Sequence, residues 1–252
     1  MTDHSPTDVQ FYLTAETPCP YLPERYERKL FTNLTGRRAT DLHNMLSQHG
    51  FRRSQNIAYR PACEGCNACQ SARVISDLFK PNSTQRRIAR KNLDIEGVEV
   101  FPQATQEQYV LFKKYLRARH AEGGMSEMSH LDYEFMVEDT PVNSVVMEYR
   151  LLSDDRELNG SLIGVALTDI LPDGISMVYS FFDPDFPKRS LGQFMILDQL
   201  DRARRDNLPY LYLGYWVKNS PKMTYKSNFK PLEVLGDGDD WQILEDAQSE
   251  QV

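Results

Sequence analysis

The stretch SLIGVALTDILPDGISMVYSFF, residues 161–182, decides the fold. It contains two apolar runs, SLIGVALTDIL and ISMVYSFF, joined through Asp173-Gly174, a strong short hairpin signal. Upstream, SVVMEYRLL starts at Ser144 and leads into a second such pair, Asn159-Gly160. The three runs read as an antiparallel meander. Downstream, Ser190 stands where it caps a helix, LGQFMILDQLDRARRDN, with Phe194, Leu197, Leu200 and Ala203 facing the core. Pro209 precedes a further strand, YLYLGYW; SPKMTYKSNF reads as a short helix and KPLEVL as the last strand. The order β-β-β-α-β-α-β predicts an α/β (α+β) protein with a mixed, largely antiparallel sheet covered by helices.

Before the meander, ATDLHNMLSQHGF places Leu42, Met45, Leu46 and His49 at helical spacing, with Gly50 at the expected left-handed cap. NIAYRP is extended, RVISDLF has strand character, and a basic helix starts after Ser83. Another runs from Thr105, where Thr105 and Gln108 form a capping box and Tyr109, Phe112 and Leu116 line one face. Two domains are expected: residues 1–95, basic and cysteine-containing, and residues 96–252, carrying the meander.

The chain has 252 residues and a net charge of −7, unevenly spread. Residues 1–120 hold 18 Lys and Arg against 12 Asp and Glu; the remainder holds 11 against 24. Arg86, Arg87, Arg90 and Lys91, followed by Lys113 and Lys114, therefore read either as a phosphate-binding surface or as solvated helix faces. The N-terminus MTDHSPTDVQ has no basic and then apolar signal pattern, and no run reaches the roughly 18 apolar residues of a membrane helix. A soluble cytoplasmic protein without a membrane partner is expected. Three of its four cysteines, Cys63, Cys66 and Cys69, recur at a spacing of three in RPACEGCNACQSAR. With Cys19 they would complete the four thiolates of a structural zinc or iron-sulfur site; the alternative is a compact loop of reduced thiols.

The element order of the C-terminal part is similar to the N-acetyltransferase superfamily, in which the strands flanking the main helix splay apart around an acyl donor. At the start of that helix, Arg189-Ser190-Leu191-Gly192-Gln193-Phe194 departs from the superfamily's pyrophosphate loop, because Phe194 replaces its last small residue. Several motifs together resemble the bacterial branch of the aminoacyl-tRNA-protein transferases. They are Cys19-Pro20-Tyr21-Leu22-Pro23, Tyr59-Arg60-Pro61, Ser83 to Arg87, Arg119-His120, VALTDI (165–170), YSFFDP (179–184), Ser190-Leu191-Gly192 and YLYLGYWVKNSPKMTYK (210–226). The resemblance implies transfer of leucine from leucyl-tRNA to the α-amine of proteins with N-terminal Asp or Glu, marking them for degradation. Where many relatives carry Cys, this chain carries Ser220, so no nucleophilic thiol is available there.

Such chemistry is aminolysis of an ester that is already activated, and it requires neither a covalent enzyme intermediate nor a cofactor. It does require a proton acceptor, an oxyanion donor and a partner for the acceptor's carboxylate. Tyr179, Asp183 and Tyr215 are the catalytic candidates. Asp183 either holds the acceptor's ammonium or is a turn residue before Pro184. Asp169 reads as a turn residue leading into Pro172-Asp173-Gly174. Arg60, Ser180, Tyr212, Lys222, Tyr225 and Lys226 are candidates for substrate binding; Arg60 offers a two-pronged grip on a carboxylate, and Arg73 offers the same. Lys222 and Lys226 are expected on one exposed helical face. Histidines 4, 43, 49, 120 and 130 read mostly as surface residues. Two rival functions are a CoA-dependent N-acyltransferase and a non-catalytic, metal-binding RNA module.

Overall fold

The structure is a computed structural model and describes residues 9–119, 127–218 and 220–245; His4, His120 and Asn219 lie outside them. In chain order the strands are β1 (Tyr12–Leu13), β2 (Thr17–Pro18), β3 (Tyr26–Glu27), β4 (Lys29–Asn33), β5 (Arg52–Ser54), β6 (Ile57–Pro61) and β7 (Cys69–Ile75). They continue with β8 (Ile95–Val100), β9 (Ser144–Leu151), β10 (Leu162–Leu171), β11 (Gly174–Phe182), β12 (Tyr210–Val217), β13 (Leu232–Leu235) and β14 (Trp241–Ile243). The helices are α1 (Ala39–Gln48), α2 (Ser83–Lys91), α3 (Gln106–Arg119), α4 (His130–Glu138) and α5 (Leu191–Arg205).

The meander is β9-β10-β11, the predicted runs in the predicted order, and it supplies three strands of an eight-stranded sheet ordered β14-β13-β7-β12-β11-β10-β9-β8. Leu171 pairs with Gly174, so Pro172-Asp173 is the tight turn and Gly174 already belongs to the strand. A Cβ at Gly174 would lie 2.5 Å from the Tyr210 carbonyl oxygen, a close approach that only glycine permits. Strand β7, on the N-terminal side of the boundary expected at residue 95, lies between β13 and β12 in this sheet. A smaller antiparallel sheet, β1-β4-β6-β5, stands apart from it, and β2 pairs with β3.

The large sheet is covered on both faces, as an apolar meander demands. Helix α5 buries Met195, Ile196, Leu197, Leu200 and Ala203 against Ala72, Ile175 and Leu211. Phe194 packs against this core with its ring 6.0 Å from that of Tyr149, which fits the helical spacing. On another core, α3 buries Phe112 and Leu116 against Tyr133, Val165 and Phe181. Each such side chain contributes about 1.5–3 kcal/mol through burial. The Thr105 and Gln108 capping box forms as the sequence predicts, each side chain accepting from the other's backbone N–H at 3.2 Å.

Among the described residues, only one junction in the large sheet is parallel. Strands β11 and β12 pair from Gly174 to Ser176 and from Tyr210 to Tyr212, and the ladder stops there although both strands continue. The guanidinium of Arg52, reaching from β5 of the small sheet, takes over. It donates to the carbonyls of Met177 (2.7 Å) and Val178 (3.0 Å) on β11, and to that of Leu213 (3.4 Å) on β12. Room for it comes from Gly214, which has φ +75° and whose hypothetical Cβ would lie 1.0 Å from Arg52 Nη1.

The adjacent Arg53 makes a different bond between the sheets. Asp169 is not a turn residue: it sits in β10, fully buried, with Arg53 Nε and Nη2 each donating to it at 2.7 Å. Ser144 Oγ donates to the same carboxylate at 2.6 Å, and His43 Nε2 lies 3.1 Å away. His43 is therefore a buried residue rather than a surface one, because the face of α1 that carries it packs on this pair. Burial pushes the Asp169 carboxyl up, but His43 and Arg53 outweigh it and hold the group at about 2.

Asp169→Asn strands a buried guanidinium and is expected to cost about 3–5 kcal/mol in urea unfolding at neutral pH. Because the folded carboxyl lies below its unfolded value of about 3.9, its contribution is complete above that value and disappears as pH falls toward 2. The gap between wild type and variant should accordingly narrow when the unfolding is repeated in that acid range. Gly214→Ala is expected to destabilise by more than the roughly 1–2 kcal/mol of a left-handed non-glycine residue, since the methyl group displaces Arg52. In an Arg52→Ala background that excess should vanish, leaving the backbone cost alone, and a double-mutant cycle measures it.

Candidate active site

Where β11 and β12 part, a cleft of about 700 Å³ opens. Its walls are the second half of β11, the first turn of α5, the end of α3 and the segment after β12, with Arg52 also lining it. Five of the predicted site residues line it together: Tyr179, Ser180, Lys222, Tyr225 and Lys226. Tyr115 and Arg119 join them from α3. Alternation along β11 explains part of this, because Tyr179 and Phe181 point the same way, and Phe181 anchors that face in the core. Burial raises the phenols of Tyr115, Tyr179 and Tyr225 above the usual tyrosine value, with Tyr115 adding to the shift of the latter two. All three are hydrogen-bond donors at neutral pH.

Lys222 and Lys226 differ in environment from the expectation. The segment is a short 3-10 turn, Thr224–Asn228, rather than an α-helix; Lys222 precedes it and is exposed, whereas Lys226 is only 7% exposed. Lys226 Nζ donates to the Tyr215 carbonyl at 2.5 Å. Desolvation, reinforced by the charge of Arg52, lowers its ammonium to about 7. Sequence spacing missed this because a 3-10 turn puts residues four apart on different faces.

Other predicted residues lie elsewhere. Tyr215 is buried, its hydroxyl 2.9 Å from the Tyr59 carbonyl and 3.1 Å from that of Gly50, and it faces a second cleft. Tyr212 is also buried; its hydroxyl donates to Asp173 at 2.8 Å and accepts from Arg73 at 3.2 Å. Arg73, offered as a carboxylate grip, is already committed to Glu233 at 2.7 Å and lies over the rings of Tyr210 and Trp241. Asp183 accepts from Lys114 at 2.6 Å and from its own turn, the Asp185 N–H, at 2.9 Å. At the start of α5, Arg189 pairs with Asp94 through two bonds of 2.6 and 2.8 Å. That guanidinium is thus taken, where a pyrophosphate-binding loop would need it.

The second cleft, of about 450 Å³, is lined by Arg60 and all four cysteines, Cys19, Cys63, Cys66 and Cys69. Burial, followed by the neighbouring Cys19, Cys63 and Cys66, pushes the Cys69 thiol up to about 12. The sequence grouping is therefore real in space. Among the described residues no group of three or more His, Cys, Asp or Glu side chains stands assembled as it would be to hold a metal ion. Arg60 lies over the Phe51 ring, 5.1 Å from its centroid, and 3.5 Å from Asp239.

Two basic surfaces border the first cleft. On α2, Arg86, Arg87, Arg90 and Lys91 are exposed, and Lys91 donates to the Lys188 carbonyl, just before the cleft-lining start of α5. On α3, Lys113, Lys114 and Arg117 line a shallow depression, one turn from cleft-lining Tyr115 and Arg119. The residue the sequence did not disclose is Arg52. Its only written trace is Gly214 inside the otherwise bulky strand YLYLGYW, a position where an interior glycine marks a bulge or a close approach.

Comparison with known proteins supplies the family. A family model for arginine-tRNA-protein transferase, N terminus, matches residues 17–87, and one for the C terminus of the same enzyme matches residues 107–236. A protein of Bradyrhizobium sp. strain BTAi1 named aspartate/glutamate leucyltransferase is 54% identical over 238 residues, 93% of this chain and 92% of that one. One of the same name from Methylobacterium nodulans is 55% identical over 239 residues, covering 93% and 96%. Of solved structures, L-PGS from Bacillus licheniformis aligns with a TM-score of 0.47 at 12% identity, covering 77% of this chain and 55% of that one. Among the described residues no helix is long and apolar enough to cross a membrane. With both halves of the family's pattern matched in order, the chain belongs to the arginine-tRNA-protein transferase family, enzymes that move an aminoacyl group from tRNA to protein.

Proposed function

We propose that this chain transfers leucine from leucyl-tRNA to the α-amine of cytoplasmic proteins that begin with Asp or Glu, marking them for degradation. The observation that carries the reading is the gathering of Tyr179, Ser180, Lys222, Tyr225 and Lys226 in one cleft bordered by two basic helices. The names of the relatives supply leucine and the acidic acceptors.

In this reading the tRNA backbone lies on α2 and α3, where Arg86, Arg87, Arg90, Lys91, Lys113 and Lys114 contact phosphates, and its charged 3′ end enters the cleft. The positive end of the α5 dipole faces the terminal phosphates. The phenols of Tyr179 and Tyr225, uncharged donors in a largely desolvated site, stabilise the tetrahedral oxyanion. Lys222, exposed at the cleft, pairs with the acceptor's side-chain carboxylate. Residues 1–95 and 96–252 act jointly, the first through Arg52 and α2, the second through the rest of the cleft. A CoA donor is disfavoured by the commitment of Arg189 to Asp94.

Radiolabelled leucine should pass from charged tRNA to a peptide beginning with Asp and not to one beginning with Asn; transfer from an acyl-CoA in place of tRNA would overturn the reading. Lys222→Ala is expected to raise KM for the Asp peptide about tenfold or more, the loss of one charge-assisted hydrogen bond, with kcat changed far less. Replacing Arg86, Arg87 and Arg90 by Ala should weaken tRNA binding and flatten its dependence on salt, measured by filter binding across a salt series.

A further inference from the structure

The transfer reaction leaves one proton to account for. An α-amine with a pKa of about 7.7–8.0 is mostly ammonium at neutral pH and must lose a proton before it attacks. For an acceptor that binds as the ammonium, the proton goes to a base inside the cleft. Among the described residues, no carboxylate lines the cleft: Asp183, the nearest in sequence to its β11 wall, is held by Lys114 outside it. The His side chains among the described residues are likewise absent from its walls.

Lys226 meets the geometric requirement. Its side chain is almost wholly buried yet lines the cleft, and its hydrogen bond to the Tyr215 carbonyl holds Nζ three residues beyond the last β12 residue paired with β11. No described carboxylate pairs with it, and the neighbouring charge is another cation, Arg52, which three backbone carbonyls hold in place. An amine placed so is stable in its neutral form, with one N–H given to Tyr215 and a lone pair available to the cleft. Its ammonium value of about 7 agrees.

We infer that Lys226 is the base that takes the proton from the acceptor's α-ammonium. The inference rests on the transferase reading above. The neutral α-amine then attacks the ester carbonyl, and the C–N bond forms. The tetrahedral oxyanion collapses, the ester C–O bond breaks, and the departing ribose oxygen takes the second proton of the attacking nitrogen. The amide and an uncharged tRNA leave, and Lys226 returns the first proton to solvent. The other groups lining the cleft cannot substitute. Arg52 and Arg119 remain charged, the phenols of Tyr115, Tyr179 and Tyr225 are raised by burial, and Lys222 belongs to the acceptor.

The test sets an Asp-starting peptide beside one whose terminal amine is replaced by an aminooxy group, which is neutral over the range examined and has no proton to lose before it attacks. Single-turnover transfer by the wild-type protein should rise with pH through about 7 for the amine, because the base works only when unprotonated, and should stay flat for the aminooxy acceptor. Lys226→Met, an isosteric apolar replacement, should lose about 10²–10⁴-fold in rate with the amine but keep its rate with the aminooxy acceptor, while binding leucyl-tRNA as tightly as wild type. Lys226→Arg, which keeps the positive charge but cannot give up its proton, should fail equally. A wild-type profile that rises equally for both acceptors overturns the assignment whether or not the variants fold, as does a Lys226→Met protein that keeps its rate with the amine within about threefold. Absence of any transfer by the wild-type protein from leucyl-tRNA would instead overturn the transferase reading.

Discussion

A sheet whose strands part must satisfy the backbone groups it leaves unpaired, and here one guanidinium does so. Arg52 bonds carbonyls on both sides of the separation between β11 and β12, which would otherwise be buried acceptors without donors. Because it comes from β5, the same contact ties the small sheet to the large one. The bond depends on Gly214, whose missing side chain and left-handed backbone leave the space that the guanidinium occupies. Arg53, one residue on, faces the opposite way and secures the junction through Asp169. Two adjacent arginines on a short strand thus perform separate tasks, one holding the cleft open and the other closing the interior behind it.

The electrostatics of the cleft follow from the same contact. A fixed cation at its base favours the neutral form of the amine beside it, and burial keeps the surrounding phenols protonated. The site therefore holds donors and a neutral base rather than paired charges. That balance suits aminolysis, in which positive charge must leave the nucleophile and negative charge appears on the carbonyl oxygen. The second cleft, with its four thiols and Arg60, sits behind Tyr215, whose hydroxyl faces that cleft while its carbonyl holds Lys226 at the first. One strand residue is shared between the two.

Local patterns made the scaffold legible. Apolar runs and turn pairs specified β9, β10 and β11, helical spacing specified α1, α3 and α5, and the capping residues at Thr105 were read correctly. Short strands, β1 to β5, β8 and β14, escaped, since two to six residues with little alternation carry almost no periodic signal. The grouping of Tyr179 with the Lys222 to Lys226 segment was legible through the ordered motifs of the family. The separation of Tyr215, Tyr212 and Asp183 from that group was not. Tyr212 and Tyr215 occupy one strand, but the bulge at Gly214 alters its alternation, and their hydroxyls find partners more than 35 residues away.

The amino-acid sequence by itself determined the meander, its crossing helix, the basic helices and the family, because each of these depends on neighbours within a few residues or on the ordered motifs. Only the tertiary structure decided which arginine enters the sheet, that Asp169 and His43 are buried, and that Lys226 is shielded from water. The physical reason is that burial and charge pairing are set by residues brought together from distant parts of the chain. No local spacing records them.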